Sequence, residues 1–524
     1  MFNRPVLLWH TVRHLRFRQI LGRISFMLKR RFLRAHFSRR IAETNVQKVH
    51  RIPTLPLRPV NPVVEEINLA RQQFSFQNVS VTFNSDIVWN NLEQPLLWRY
   101  HLHYFDCLIP LAGNVTLENY HIAEKLLQNW IDNNPIGEGP GWEPYPLSLR
   151  IVNWIFWSSK NHEKLSQNAD FEATFTQSLF HQAAFLSHYF EYHLQANHLF
   201  ENCKALLIAG LCLNHPDWTK RGWRELRREM DEQILPDGTH YERSPSYHSI
   251  ILCGLLDVLN VLQQVDAERC SEFIQSEART YLEKKCRSML SSLNTFTHPD
   301  GNLALFGDTA FDTQLTYEQL SDYAKQLGIF ADNTKLQPQL PDAGYAVMKN
   351  EQQYLILDTG PIGVRHQPGH AHADLLSYEY SFWGKRIVVD SGVGEYLPTN
   401  RRQQARSIAA HNTVFIKGLE QMEAWGAFRV GRWIHESSIK PVETTASSVS
   451  SGYICSWHGA ETYSHDRTIA LHAQNILLVE DTVHYKGTED IQSLLHLHPD
   501  CRVIQKENYL QIEREEIKIL LLWQ

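Results

Sequence analysis

The sequence predicts a two-part fold, with antiparallel helix pairs followed by a large antiparallel β-sandwich. From about residue 95 to 335, apolar residues recur at i, i+3 and i+4, as in 117–134 and 249–265. After Pro341 the pattern changes to short alternating runs punctuated by turns, as in 353-QYLILDTG. The length of 524 residues allows two or three domains. We expect an N-terminal segment at 1–65, a helical domain at 66–340 and a β domain at 341–524.

The N-terminal segment is strongly basic. Residues 1–50 contain 12 Lys/Arg and one acid, Glu43, and so carry a net charge of +11. The whole chain carries −6, which leaves −17 on the remainder. The apolar residues of the segment are spaced as in an amphipathic helix, which suits contact with a membrane surface but also packing on the body or on a partner. Four prolines between residues 53 and 62 predict a linker.

Composition excludes several classes of protein. A body with a charge of −17 is not typical of nucleic-acid binding, and P-loop and dinucleotide-binding motifs are absent. The eight cysteines are scattered without a CxxC pair, which predicts buried free thiols. Arginines interrupt the first 40 residues, so they do not predict a signal peptide, and no run predicts a membrane-spanning helix.

The stretch 366-HQPGHAHADLLSYEY places three histidines close together in a region of strand-like alternation. In a strand, His370 and His372 would point to the same face. Metal ligation, catalysis and an ordinary polar role on a sheet are all open for them.

Several motifs, in their order along a helical-then-β chain, carry a resemblance to a known family. They are 98-WRYHLHYFD, 142-WEPYPLSLRIVNW, 197-NHLFEN, 237-DGTHYERSPSYH, 298-HPDGNLALFGD, 369-GHAHADLLSYE, 390-DSG and 401-RRQQARSIAAHNTV. With these motifs the chain resembles the heparinase II/III-like polysaccharide lyases, which include related alginate lyases. The resemblance implies an (α/α) toroid followed by a β-sandwich, and cleavage of an anionic, uronic-acid-containing polysaccharide by β-elimination.

That reaction removes the weakly acidic C5 proton and breaks the bond to O4, so the sugar carboxylate must be neutralised. By resemblance, Asn197 and His198 bind the carboxylate, Tyr247 is the catalytic tyrosine and His370 is its partner. A tyrosine serves as the base when nearby positive charge lowers its pKa from about 10. Tyr241 competes with Tyr247 for this role. Tyr396 follows a glycine-rich loop and fits a second tyrosine in the cleft.

Each of these roles has a plainer alternative. Asn197 and His198 end a predicted helical stretch, 183–198, and suit a C-terminal cap. A tyrosine at a helix start, such as Tyr247, is often a half-buried packing residue.

The resemblance also implies a zinc site formed by His372, Asp390 and His411. Asp390 ends one predicted strand and His411 begins another, so neighbouring β segments would each present one ligand. The metal of the family is structural. The alternative is that both histidines are hydrogen-bonded sheet residues.

A third group of residues is expected to contact the substrate. Arg402 and Arg406 could grip anionic sugar groups, or they could form structural salt bridges. The other candidates are cleft-lining or toroid-packing residues, namely Trp142, Glu143, Tyr145, Arg150, Glu201 and Tyr241.

Two further functions stay open. A glycoside hydrolase on the same toroid needs two carboxylates, for which Glu201, Asp237 and Glu242 are available. A non-catalytic protein of exopolysaccharide binding or assembly would retain the fold without cleaving the glycan. The glycan, the oligomeric state and the location are also open. The resemblance implies the periplasm or cell envelope, and the basic start is equally compatible with a cytoplasmic or membrane-peripheral protein.

Overall fold

The computed structural model describes residues 4–44, 51–62, 64, 67–266, 272–332, 336–457, 462–472 and 474–523. The side chains of residues 272–275 are outside this description. The expected boundary between residues 65 and 66 also lies outside the described residues. Of the cysteines within them, seven are free thiols and six of these are buried.

Residues 4–44 form a chain of short helices, which we call the N-terminal strap. Its helices are α1 (Arg4–Val12), α2 (Phe17–Leu28), a π-helical turn (Lys29–Leu33) and α3 (Arg34–Ala42). In α1, the Thr11 hydroxyl donates to the carbonyl of Val430, 2.7 Å away. In α2, Arg18 lies 3.2 Å from Glu229. The strap therefore contacts both the β domain and the helical domain.

The helical domain is built of packed helices around one apolar core. After a small hairpin, β1 (Gln73–Phe76) and β2 (Val79–Thr82), its helices are α4 (Leu96–Tyr104), α5 (Leu108–Gly113), α6 (Leu117–Asn133), α7 (Pro144–Leu165), α8 (Ala169–His188), α9 (Ala196–Cys212), α10 (Pro216–Gln233), α11 (Pro245–Gln264), α12 (Glu272–Thr295) and α13 (Tyr317–Gln326). The core includes Trp154, Leu206 and Leu255, all fully buried. The predicted helical pattern is confirmed.

Helix starts in this domain follow local chemistry. Proline stands in the first turn of α7, α10 and α11, where its missing N–H costs no hydrogen bond. Thr116 and Asn168 cap α6 and α8, because their side-chain oxygens accept a backbone N–H of the first turn.

One of these helices, α11, is long and apolar enough to cross a membrane, which the sequence analysis did not predict. In the structure, 89% of its apolar window is buried inside the protein. Its composition is that of a core helix surrounded by other helices.

The β domain contains two larger sheets and several smaller ones. A five-stranded antiparallel sheet has the order β3 (Gln339–Leu340), β4 (Tyr345–Lys349), β5 (Gln353–Asp358), β6 (Tyr378–Phe382) and β7 (Lys385–Val388). A second sheet joins β11 (Glu443–Thr444), β12 (Ser448–Cys455), β13 (Tyr463–His472) and β14 (Ile476–Tyr485). The rest are β8 (Val414–Ile416) with β15 (Ile491–Ser493), β9 (Met422–Trp425) with β10 (Arg429–Trp433), and β16 (Arg502–Gln505), β17 (Leu510–Arg514) and β18 (Ile517–Leu521). A short helix, α14 (Asn400–Ala405), precedes β8.

The five-stranded sheet is the wall between the two domains. Every residue of β5 is buried. On one face, Tyr354 packs with Phe296 from the end of α12. On the other face, Leu355 packs with Val449 and Ile469 of the second sheet. Loops that leave this sheet therefore lie beside helix ends of the toroid, and the candidate active site lies at this junction.

Candidate active site

Two helix N-termini bring predicted site residues to the interface of the domains. Helix α9 begins at Ala196, so Asn197 and His198 lie in its first turn. The expectation that they end a helix is wrong, because α8 stops at His188 and an irregular segment intervenes. Gln195, just before α9, has φ 57° and ψ −153°, a conformation that is strained for any residue but glycine. A helix N-terminus carries partial positive charge and free N–H groups, and so favours an anion.

Tyr247 lies in the first turn of α11 and stacks on His370 from the β domain. Their ring centroids are 3.7 Å apart and their planes are inclined by 13°. Glu242 lies behind His370, with Oε1 3.3 Å from Nδ1. Burial would raise the pKa of Glu242, but His370 and His240 outweigh it and hold the pKa below its usual value. Glu242 is therefore an ionised partner that orients the imidazole.

Tyr247 is a neutral phenol in this environment. Burial raises its pKa well above the ordinary value, and the neighbouring Tyr396, Asp308 and Glu242 add to the effect. Tyr396 lies close enough to Tyr247 to interact with its hydroxyl, and burial raises the pKa of Tyr396 too. The expectation that local positive charge lowers the pKa of the catalytic tyrosine is not met by the described residues. The phenol form donates a proton rather than accepting one.

Asn197, His198 and Tyr145 lie near this group, because Tyr145 helps to raise the pKa of Tyr247 and His198 helps to lower the pKa of Glu242. The His198 ring lies 4.4 Å from the ring of Tyr145, and Asn197 interacts with the same tyrosine. His198 Nδ1 lies 3.3 Å from Glu191 Oε2. The His198 side chain is 32% exposed, so it can meet a ligand from solvent. An amide, an imidazole and a phenol, from Asn197, His198 and Tyr145, thus lie close together at the N-terminus of α9.

Arg402 and Arg406, which were predicted to contact the substrate, are buried on the β-domain side of the site. Arg402 grips Asp308 with both terminal nitrogens, one of them 2.8 Å from Oδ2, and its guanidinium lies 5.3 Å from the centre of the Tyr396 ring. Arg406 donates to the carbonyls of Ala371 and Pro368, at 3.0 and 3.1 Å. Both arginines are fully buried. Arg402 therefore forms the expected structural salt bridge, whereas Arg406 is bound by backbone carbonyls, two of them in the loop that carries His370.

Asp308 is a site-supporting residue that sequence reasoning missed. Besides Arg402, it binds His372 Nε2, 2.9 Å from its Oδ1. Its backbone N–H donates to the carbonyl of His370 over 3.2 Å. The signal was present, since Asp308 ends the motif 298-HPDGNLALFGD, but a lone aspartate after a glycine is also typical of a turn.

A cluster of His372, Asp374 and His411 can hold a metal ion. One ligand atom from each lies within 4.8 Å of the others, and all three residues are buried. His372 Nδ1 and His411 Nε2 have no hydrogen-bond partner among the described residues. Buried polar atoms without partners are costly, so two of them facing a carboxylate fit a bound cation.

Asp390 stands behind this cluster instead of in it, which corrects the predicted ligand set. Both of its carboxylate oxygens lie 2.9 Å from His411 Nδ1, and Oδ2 accepts from the Ser377 hydroxyl over 2.8 Å. A carboxylate behind a ligating histidine fixes the orientation of the ring and directs its other nitrogen to the metal. Asp374, two residues after His372, is the carboxylate whose oxygen lies with the two histidines.

The charges of the cluster also favour a cation. Burial raises the pKa of Asp374 to about 6. Burial acts to lower the pKa of His411, but the carboxylates of Asp390 and Asp374 outweigh it and leave the pKa raised. A bound cation would relieve both effects, because it stabilises the deprotonated carboxylate and the neutral imidazole.

Comparisons with known proteins agree with this architecture. A family model for the heparinase II/III N-terminus matches residues 27–337, and one for the heparinase II/III-like C-terminal domain matches residues 332–524. The chain belongs to the heparinase II/III family. The predicted family and the predicted order of a toroid and a β-sandwich are thereby confirmed.

Relatives within the family are distant. Heparin-sulfate lyases of Pedobacter heparinus and Bacteroides thetaiotaomicron are each 24% identical, over 59% and 61% of this chain. The matches span 49% and 51% of those proteins, so the chain covers about half the length of these curated relatives. A crystal structure of heparinase III superposes with a TM-score of 0.68 at 18% identity, over 92% of this chain and 80% of that one. A heparan sulfate lyase structure from Pedobacter heparinus superposes with a TM-score of 0.53 at 18% identity, over 91% of this chain and 78% of that one. These likenesses show a shared fold.

Several residues expected to contact a substrate lie inside the toroid of this family member. Arg150 donates to Gln182 over 2.9 Å and lies 3.9 Å from the centre of the Trp130 ring. Trp142 packs in the same aromatic core, with its N–H 3.2 Å from the carbonyl of Asn134. Arg150 and Trp142 are therefore packing residues of the toroid and do not line the cleft.

Three other candidates also lie outside the group around Tyr247. Glu201 is buried and lies 2.6 Å from Lys204. Tyr241 is buried, and its hydroxyl has no partner within the described residues. Glu143 binds Arg30 of the strap over 3.0 Å. The structure therefore brings together Asn197, His198, Tyr145, Tyr247, His370 and Tyr396, and leaves the others as support.

Proposed function

We propose that this chain is a polysaccharide lyase that cleaves a uronic-acid-containing anionic polysaccharide by β-elimination. The observation that carries the proposal is the stacked pair of Tyr247 and His370, with Asn197 and His198 nearby in the first turn of α9. The names of its relatives, heparin-sulfate lyases, point to the same class of substrate. Family, fold and site chemistry thus support one reaction.

The carboxylate of the sugar would bind at the N-terminus of α9. Asn197 supplies an amide donor, His198 an imidazole and the helix its partial positive charge. These donors neutralise the carboxylate and stabilise the negative charge that develops on it when the C5 proton leaves. Interactions that strengthen as this charge grows lower the barrier more than they tighten binding.

His370 and Tyr247 would carry out the two proton transfers. His370, oriented by Glu242, is placed to accept the C5 proton. Tyr247, held as a phenol, is placed to give its proton to the O4 leaving oxygen. The C5 electron pair forms the C4–C5 double bond as the C4–O4 bond breaks. The products are an unsaturated uronyl end and a free hydroxyl, and no water is consumed.

The metal at His372, Asp374 and His411 is proposed to be zinc. Two imidazole nitrogens and one carboxylate are a donor set that Zn²⁺ accepts readily. Bound there, the ion would cross-link the loop that carries His370 to the segment before β8. It would supply rigidity to the loop and take no part in the proton transfers.

The rival hydrolase has less support in the geometry. A hydrolase needs two free carboxylates flanking the bond. Glu201 is tied to Lys204, Asp237 accepts the backbone N–H groups of Asp342 and Ala343 at 2.9 Å, and Glu242 faces His370. Glu201 and Asp237 are thus held by the protein, whereas the buried Glu242 has His370 as a neighbour but no hydrogen-bond partner among the described residues.

The test is incubation of the purified protein with a panel of uronic-acid polysaccharides, which includes heparan sulfate, alginate and bacterial exopolysaccharides. A lyase gives products with the ultraviolet absorbance of a conjugated uronate. Chain shortening without that absorbance would indicate hydrolysis. Binding without shortening would indicate a non-catalytic protein. Either of these outcomes contradicts the proposal.

A further inference from the structure

The strap presents its apolar side to solvent. Along α2 and the turn that follows, exposed apolar residues recur with helical spacing at Phe17, Ile20, Leu21, Ile24, Met27, Leu28 and Phe32. Phe17 is 73% exposed, and Trp9 of α1 is 67% exposed. A surface helix normally turns this side toward the core.

The inner side of α2 packs on the helical domain, where the Phe26 ring lies 4.5 Å from the ring of His193. Gln19 is 2% exposed and donates to the carbonyl of His366 over 3.2 Å. Gly22 lies directly against the backbone of Tyr192 and His193, where a Cβ would meet atoms at 3.0 Å. Arg18 bridges to Glu225 and Glu229. The helix is therefore fixed with its apolar side outward and cannot bury that side by rolling.

Exposed arginines are interleaved with the apolar residues. Arg13, Arg23 and Arg31 are exposed, and none of them makes an ion pair with a carboxylate among the described residues. Residues 4–44 contain eleven Lys/Arg and a single acid, Glu43, whereas the remainder of the chain is acidic. An apolar stripe flanked by arginines is the pattern of a helix that lies in the interface of an anionic bilayer.

We propose that the strap docks the protein on the surface of an anionic lipid bilayer. The apolar side chains enter the headgroup boundary, and the arginines contact lipid phosphates while their stems lie along the acyl surface. A second copy of the chain is disfavoured as the occupant, because two strap faces of like charge would repel each other. The acidic body is repelled by the same surface that attracts the strap, so the molecule would bind in one orientation.

Flotation of the full chain with vesicles tests the proposal. Vesicles of phosphatidylcholine with phosphatidylglycerol should carry the protein upward, and phosphatidylcholine alone should carry much less. Each lysine or arginine near such a surface strengthens binding about 5-fold, so R13Q/R23Q/R31Q should weaken it by roughly a hundredfold. Added salt should weaken wild-type binding for the same reason.

The apolar contribution is tested by F17S/I24S/F32S. These side chains are exposed, so the thermal stability should stay unchanged while flotation is lost. The matched control is L92S/W383S/L522S, which removes three exposed apolar side chains elsewhere and should float like the wild type.

Three outcomes overturn the proposal. One is wild-type protein that stays out of the lipid fraction. Another is equal flotation of the strap variant and the matched control. The third is a salt-insensitive dimer, measured by light scattering, that only the strap variants dissociate, because the occupant would then be a second copy.

Discussion

At the scale of single residues, Tyr247 offers the sharpest test of the proposed reaction. Tyr247→Phe removes one hydroxyl and keeps the ring that stacks on His370. We expect turnover to fall by about 10²–10⁴, the usual contribution of positioned proton transfer, with binding of the glycan retained. Steady-state rates of uronate formation measure it.

Tyr241→Phe is the companion variant. Its hydroxyl is buried without a partner in the described structure, so its loss should leave both activity and stability nearly unchanged. Full activity of Tyr247→Phe together with an inactive Tyr241→Phe would reverse the assignment of the catalytic tyrosine.

The metal cluster permits a second comparison between two aspartates. Asp374→Asn replaces a proposed ligand, whereas Asp390→Asn changes only the carboxylate behind His411. We expect about one zinc per chain in the wild type and near-complete loss in Asp374→Asn. Asp390→Asn should weaken affinity by about 10–100-fold, as is usual for groups behind a ligand. Elemental analysis and competition with a chelator distinguish the two variants, and equal loss of metal would restore Asp390 as a ligand.

Sequence reasoning reached the residue types of the site but not all of their geometry. Tyr247 and His370 could be paired by resemblance, and the structure stacks them. The choice of Asp390 over Asp374 failed because strand alternation is a poor guide where the backbone is irregular, and residues 371–377 are loop and turn. Arg150 and Arg406 show the other limit. A sequence shows a charged side chain but does not show that aromatic rings or carbonyls already surround it.

At the scale of secondary-structure elements, the strands β13 and β14 are held by a buried ion pair. Arg467 donates to both oxygens of Asp481 at 2.7 and 2.8 Å, and His465 lies 2.8 Å from the same carboxylate. Burial would raise the pKa of Asp481, but these hydrogen bonds outweigh it and hold the pKa below its ordinary value. The pair thereby contributes stability in the pH range where Asp481 is ionised.

This pair predicts a pH dependence. Because the folded pKa is depressed, the contribution is complete above the unfolded value of about 3.9 and is lost as the pH falls through the folded value. Asp481→Asn should lower the free energy of unfolding by about 3 kcal/mol at neutral pH, because it leaves the buried Arg467 without its carboxylate. It should also flatten the decline of stability in acid. Urea unfolding at several pH values measures both effects.

Asp466→Asn is the control for this experiment. Asp466 lies on the neighbouring strand β13, in a partly exposed ion pair with Lys440, which contributes little. An acid dependence in Asp481→Asn that matches the wild type would contradict the prediction.

Element boundaries could be predicted only where the pattern was long. The runs at 117–134 and 353–360 coincide with α6 and β5 to within two residues. The stretch 183–198 reads as one helix by its apolar spacing, yet the chain breaks at His188 and restarts at Ala196. The break depends on strained backbone at Gln195, which tertiary packing imposes and local propensity does not encode.

At the scale of the whole molecule, the strap ties the two domains together. Gly22→Val would place side-chain atoms against Tyr192 and His193, where the gap is already closed. We expect Gly22→Val to lower the free energy of unfolding by about 1–3 kcal/mol and to speed proteolysis within residues 4–44. Valine is a better helix former than glycine, so the loss cannot come from helix propensity. Thermal unfolding and limited proteolysis measure it.

Arg23→Val is the matched variant on the outer side of the same helix. It should leave stability close to that of the wild type, because residue 23 is exposed. Equal destabilisation by both substitutions would show that α2 does not depend on close packing at Gly22.

The contact between Thr11 and Val430 joins residues 419 positions apart in the chain. During synthesis at about 5–20 residues per second, the strap therefore leaves the ribosome roughly 20–80 s before its docking strand exists. Through that interval, the strap has neither the β domain nor a finished toroid to contact. Side chains that the folded protein buries, such as Leu7, therefore stay exposed together with Trp9 and Phe17 until the β domain has been made.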